Sequence, residues 1–171
     1  FLADAPKLKA AGIIPFAIGG DGGGWQIAGA FGVIQTEMLG KDKRDKILHD
    51  KDLALAGGPE MKAVFTDFKK LRDYSDDGYA NRNWNDTWKL VDSGKAAVQI
   101  MGDWERGEFA AKGEVGDKDY GCIAGFDDAH PTATTSGDVF VFPKQTDPDK
   151  EAAQKRLANL IISPAVQLAF N

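Results

Sequence analysis

WNDTWKLVDSGKAAVQIMGDWERGE, residues 84–108, carries a helix, a strand and the start of a second helix in close succession. Asn83 to Ser93 predicts a short helix that Gly94 ends, as glycine does at a helix C-terminus. Ala96 to Met101, AAVQIM, predicts a strand. Asp103 is placed to accept the first free N–H groups of a helix from Trp104 to Lys112. A strand held between two helices is the local pattern of a layered α/β architecture.

Working outward, the same alternation continues. Phe1 to Ala11 is helical in pattern and stops at Gly12, before a short apolar run from Ile13 to Ile18. GGDGGG, residues 19–24, predicts a flexible turn into a helix from Trp25 to Leu39, closed by Gly40. Lys41 to His49 predicts a polar helix or turn. Gly57 and Gly58 break the chain, and Pro59 suits the first turn of the next helix. There Met61, Val64, Phe65, Phe68 and Leu71 recur at helical spacing, which predicts a buried face. Beyond residue 112, strands are expected at Tyr120–Ala124 and Val139–Phe142, the second stopped by Pro143. A long polar loop from Gly125 to Ser136 separates them. Asp147 or Asp149 caps a helix to about Ile162, and Ser163-Pro164 opens the last one. Helices outweigh strands, so the expected fold class is a helix-rich mixed α/β.

The bulk properties narrow the function. The chain has 171 residues with 43% hydrophobic content, enough for one core of ordinary domain size. Its net charge is −5, which argues against a nucleic-acid partner. The lysines of KDKRDK alternate with aspartates and read as a solvated face. Cys122 is the single cysteine and forms no internal disulfide or cysteine metal cluster. No apolar run is long enough to cross a bilayer as a helix. The chain opens in one helical pattern without a cap and ends inside another, SPAVQLAFN; a fragment is the expectation.

Several constellations compete as sites. GGDGGG stands where a phosphate loop would, but Trp25 and Ile27 occupy the positions for a last glycine, and no Gly-Lys-Ser/Thr follows. His49 and His130 lie far apart with no third ligand at metal spacing, so neither a metal nor a cofactor is expected. Asp138 with Glu105 or Glu108 could form the acid pair of a carbohydrate-active hydrolase. The four tryptophans carry more. Trp25, Trp84 and Trp104 each stand at or near a helix start, whereas Trp88, one turn after Trp84, reads as core. Aromatic platforms with a few fixed carboxylates and amides suit a sugar, which offers an apolar C–H face rimmed by hydroxyls. A carboxylate such as Asp138 forms the stronger, charge-assisted hydrogen bonds to those hydroxyls. If Trp84 and Trp104 were fully buried, a structural or interaction domain without ligand would be the better reading.

The stretch quoted at the outset resembles a characteristic segment of the solute-binding proteins of bacterial carbohydrate ABC importers, in the glucose- or mannose-binding branch. The shared features are a Trp and helix, then GKAA, an apolar strand, and MGDW-x-x-GE. KLKAAGIIPFAIGG, followed by Trp25-Gln26, resembles a second element of that family, and SGDVFVFPK a third. The resemblance covers most of the chain. It implies a non-catalytic, two-lobed protein of the type II periplasmic-binding-protein kind that closes on a monosaccharide and docks on an ABC permease. Its place would be the periplasm, or the outer surface of a Gram-positive cell through a lipid anchor. Residues 1–171 would be a single incomplete domain, most of the C-terminal lobe, without the N-terminal lobe and a C-terminal tail. Surface left bare in such a piece favours self-association. The sugar-binding set implied is Trp84, Trp104 and Asp138, with Ser136, Asp103 and Trp25 beside them. Ser136 departs from the family, which carries Asn there, and GFDDAHPTATTSG replaces its Pro-Gly-Thr turn.

Overall fold

The computed structural model describes residues 1–123, 135 and 137–170. The polar loop expected at Gly125–Ser136 therefore lies almost wholly outside the described residues. The chain divides into two compact units, 1–134 and 135–171. In the first, α1 (Ala5–Ala10) leads into β1 (Ile14–Ala17), then α2 (Trp25–Leu39), α3 (Lys41–Leu48), α4 (Leu53–Ala56) and α5 (Pro59–Arg72). A 3₁₀ turn (Asp77–Asn81) follows, then α6 (Trp84–Asp92), β2 (Ala96–Gln99) and α7 (Glu105–Ala111). The second unit holds α8 (Pro148–Ile161) and α9 (Pro164–Phe170).

β1 and β2 pair in parallel, with Ile14 opposite Ala96, Phe16 opposite Val98 and Ala17 opposite Gln99. Parallel strands need a crossover, and here the five helices α2 to α6 lie along it. Phe16, Ile18, Ala30 and Leu71 form one buried cluster, and Leu39, Met61 and Val64 a second. Ile34 of α2 touches both. The spacing on α5 thus buries Met61, Val64 and Leu71 as expected. Phe65 departs from that face. It is 56% exposed and rests edgewise of the core against Phe31, 5.1 Å away. Beside β2, Trp88 of α6 meets Phe109 of α7 at 5.3 Å, and Phe109 stacks on Tyr120 at 4.1 Å. The core reading of Trp88 holds.

Side-chain caps open three of the helices, α4, α6 and α8. Asn83 Oδ1 accepts from the Asp86 N–H at 2.7 Å, and the Thr87 hydroxyl donates back to the Asn83 carbonyl. Asp52 caps α4, and Asp147 caps α8 through the N–H groups of Asp149 and Lys150. Asp103 does not cap. The chain is already helical at Trp104, α7 begins at Glu105, and backbone carbonyls of Gly102 and Asp103 take the first N–H groups. That leaves the Asp103 side chain in solvent.

Two expected strands are absent among the described residues. Tyr120 makes only an isolated bridge to Gly116, and residues 121–123 continue without a ladder. Val139–Phe142 is exposed throughout, with Val139 at 82% and Val141 at 84%. Strand propensity is realised only when a neighbour takes up the backbone groups, and neither segment has a ladder partner among the described residues.

The turn after β1 is fixed by backbone contacts. The Gly20 N–H donates to the Tyr79 carbonyl at 2.7 Å and the Asp21 N–H to the Arg82 carbonyl at 3.1 Å. A Cβ on Gly19 would stand 2.5 Å from the Arg82 oxygen, and one on Gly20 2.8 Å from the Ala80 oxygen. These glycines are needed because backbone lies on backbone. Gly20→Ala is therefore expected to destabilise by about 1–3 kcal/mol. Gly29→Ala, in open space within α2, should instead stabilise by about 0.5–1 kcal/mol. Urea unfolding of the two variants checks this, and equal midpoints would refute the contact.

Candidate binding site

Both parallel strands deliver their carboxyl ends to one edge, the place where open α/β sheets present ligand-binding loops. After β1 the chain turns through Gly22, Gly23 and Gly24, all left-handed with φ of 69°, 77° and 77°, into Trp25. After β2 it passes Gly102 and reaches Trp104 within two residues. The Trp104 ring lies back on Gly102, filling the place where a Cβ would stand. The two loops meet through their tryptophans: the Trp25 and Trp104 rings are 6.2 Å apart and tilted by 51°. Trp25 is 42% exposed and Trp104 49%. Two large rings in contact and half in water form an apolar platform at the sheet edge.

The other expected residues divide around this pair. Trp84 is half-buried at the start of α6, two residues after Arg82, whose carbonyl holds the β1 turn. Among the described residues no ring contact joins it to Trp25 or Trp104. Asp103 is exposed beside Trp104 on the β2 loop. Asp138 is exposed in the second unit, and Ser136 lies outside the described residues. The reading of fully buried tryptophans is not met, since Trp104 is open to solvent.

Polar contacts brace the segments that lead to the two tryptophans. The Arg82 guanidinium donates to the Ile18 carbonyl at 3.3 Å and pairs with Asp76, whose Oδ1 is 2.8 Å from Nη1. Hydrogen bonding to Arg82 holds the Asp76 carboxyl below the usual carboxylate range. Glu108 is half-buried and accepts from Asn85 Nδ2 at 3.3 Å, tying α7 to α6. Glu105, the residue after Trp104, is partly buried, and burial pushes its carboxyl up to about 7. At neutral pH it is divided between neutral and charged forms, so it can both donate and accept. Among the described residues no group of three His, Cys, Asp or Glu side chains is placed to hold a metal ion.

The sequence profile of bacterial extracellular solute-binding proteins matches residues 1–170. The chain belongs to that family. A probable sugar-binding periplasmic protein of Rhizobium meliloti is 39% identical to this chain over 165 residues, 96% of this chain and 39% of the relative. One from Mesorhizobium japonicum is 36% identical over 171 residues, all of this chain and 40% of the relative. An uncharacterized ABC transporter extracellular-binding protein of Pyrococcus horikoshii is 37% identical over 121 residues, 71% of this chain and 27% of its own length. The chain thus spans about two fifths of the length of the first two relatives. Among solved structures, the bacterial solute receptor AcbH superposes with a TM-score of 0.54 at 24% identity, covering 61% of this chain and 26% of its own. AcbH is described as having an exclusive substrate preference for β-D-galactopyranose. The likeness bears out the helix-rich mixed α/β fold, which the solute receptor shares.

The raised Glu105 carboxyl has a consequence for stability. Its proton is held more tightly in the folded chain than in the unfolded one, whose value is near 4.5. Between that value and about 7 the unfolded state binds fewer protons, so stability falls as pH rises. Glu105→Gln removes this loss. Its melting temperature should exceed that of the parent at pH 8 and converge on it at pH 4. A gap independent of pH would contradict the assignment.

Proposed function

We propose that this chain supplies one lobe of a non-catalytic receptor that binds a monosaccharide for an ABC importer. The observation that carries the reading is the solvent-facing Trp25–Trp104 pair on the carboxyl edge of the sheet. The ring face packs on the C–H face of a pyranose, and neighbouring polar groups take its hydroxyls. Asp103 stands beside the pair; Trp84 is the further platform, and Asp138 and Ser136 are the further hydroxyl partners that the family resemblance implies. The glucose- or mannose-binding branch is the finer form of the proposal, carried by GKAA and MGDW in residues 94–104. The names of the relatives, probable sugar-binding periplasmic proteins, support the substrate class and a place outside the cytoplasmic membrane.

In such a receptor the ligand bridges two lobes and shifts an open–closed equilibrium by its differential affinity. One lobe then holds only part of the binding free energy. A complete site with a Kd of about 1 μM, split evenly, leaves about 1 mM for one lobe. A tryptophan-fluorescence titration with glucose, mannose and galactose should give a saturable, sugar-selective change in the millimolar range, lost in Trp104→Ala. A submicromolar Kd would contradict the split site. No change up to tens of millimolar, an order-of-magnitude limit from the same arithmetic, would remove the sugar platform. Release of product from a chromogenic glycoside would favour a hydrolase instead.

A further inference from the structure

An apolar groove opens on the first unit beside the sheet. Ile34 and Met38, one turn apart on α2, line it with Leu71 of α5, Val98 of β2 and Ile100 just beyond that strand. The cavity measures about 180 Å³. A dry cavity of about 150 Å³ lined by such side chains takes a benzene-sized group, so this one admits a leucine side chain. Met38 is 41% exposed, and the groove is reached from solvent. The charged side chains of its lining, Glu37 and Asp67, are both acidic.

The second unit carries a helix face of matching form. Leu157 and Leu160 of α8, one turn apart, are 49% and 59% exposed, and Ala153, one turn before Leu157, is exposed with them. Arg156 stands one turn before Leu160, is exposed, and has no ion-pair partner among the described residues. Gln154, Ala158 and Ile161 are half-buried, and Gln154 Nε2 donates to the Pro143 carbonyl at 3.0 Å, so that side of α8 turns to its own unit. Apolar anchors three and four residues apart are how a helix enters an apolar groove, and opposite charges at the margin fix its register.

We infer that the exposed α8 face of one copy of this chain docks in the groove of a second copy, with Leu157 and Leu160 as anchors and Arg156 set against Glu37 and Asp67. The sign of charge favours this occupant. The groove margin is acidic and the α8 face basic, whereas a chain of net charge −5 has more acidic than basic side chains to offer elsewhere. Each chain holds both helix and groove, so two copies complement each other twice, and the reciprocal exchange closes a two-fold pair. The pairing does not rest on the monosaccharide reading.

Sedimentation velocity of the chain from about 1 μM to about 1 mM covers the strength of such a contact. A monomer–dimer equilibrium without larger species is expected. Leu157→Glu, at an exposed position, should weaken each contact about tenfold and the pair, which has two, about a hundredfold, with an unchanged circular dichroism spectrum. Met38→Glu should do the same from the groove side. A mixture of these two variants keeps one intact contact, helix of one in groove of the other, and should pair only about tenfold more weakly than the parent. Arg156→Glu should also weaken the pair, and Asp67→Lys added to it should restore it, since the exposed Asp67–Lys70 pair contributes little in the parent. A chain that stays monomeric at the highest concentration, a dimer indifferent to Leu157→Glu, or a mixture no stronger than either variant alone would each overturn the inference. A lower thermal midpoint in Leu157→Glu at constant monomer mass would overturn it too, and would set the α8 face against its own chain.

Discussion

The contact of the β1 turn with the segment around Arg82 is the constraint on which the rest depends. Gly19 and Gly20 let two stretches of backbone touch, and the N–H groups of Gly20 and Asp21 find their acceptors there. Arg82 reaches back to the Ile18 carbonyl while Asp76 fixes its guanidinium. One short segment thus positions the exit of β1 and the entry to α6. The three left-handed glycines then turn the chain into α2 and present Trp25 at its first position. On the β2 side, Gly102 gives Trp104 room to lie back and meet it. The platform follows from glycine positions more than from any property of the tryptophans.

Not every polar group of the described residues finds a partner. Side-chain caps, that of Asn83 at the carboxyl edge among them, and surface ion pairs such as Lys41–Asp45 pair many polar groups. At that edge Glu105 is desolvated and the amides of Gln26 and Gln99 are unpaired. Such positions lower stability. The apolar platform is what a polyhydroxylated ligand with an apolar face would use.

Much of this was legible in the sequence, and the exceptions are physical. Helices with strong punctuation emerged as read: Gly24 and Gly40 frame α2, and Gly58-Pro59 opens α5. Trp88 in the core also agreed. Strands failed where pairing decides, since VFVF at 139–142 has strand-forming residues but no ladder. Asp103 failed as a cap because Trp104 is already helical, a backbone state that residue type does not reveal. The α4 turn and the 3₁₀ turn were not anticipated, though Asp52 and Asp76 both stand where caps belong. Gln99 within the apolar run AAVQIM was the available signal for a polar group at the sheet edge. Gln26 gave none, because its burial arises from a contact with Gly19 across the turn.

The central claim is that the tryptophan pair, and not the buried aromatic stack, is where ligand lands. The four indole N–H signals of Trp25, Trp84, Trp88 and Trp104 in a nitrogen–proton correlation spectrum separate these sites directly. On titration with glucose, mannose or galactose, the Trp25 and Trp104 signals should move together with one saturation curve, while Trp88, packed on Phe109, stays in place. A sugar-dependent shift confined to Trp88, or a saturable shift that leaves both Trp25 and Trp104 unmoved, would contradict the account.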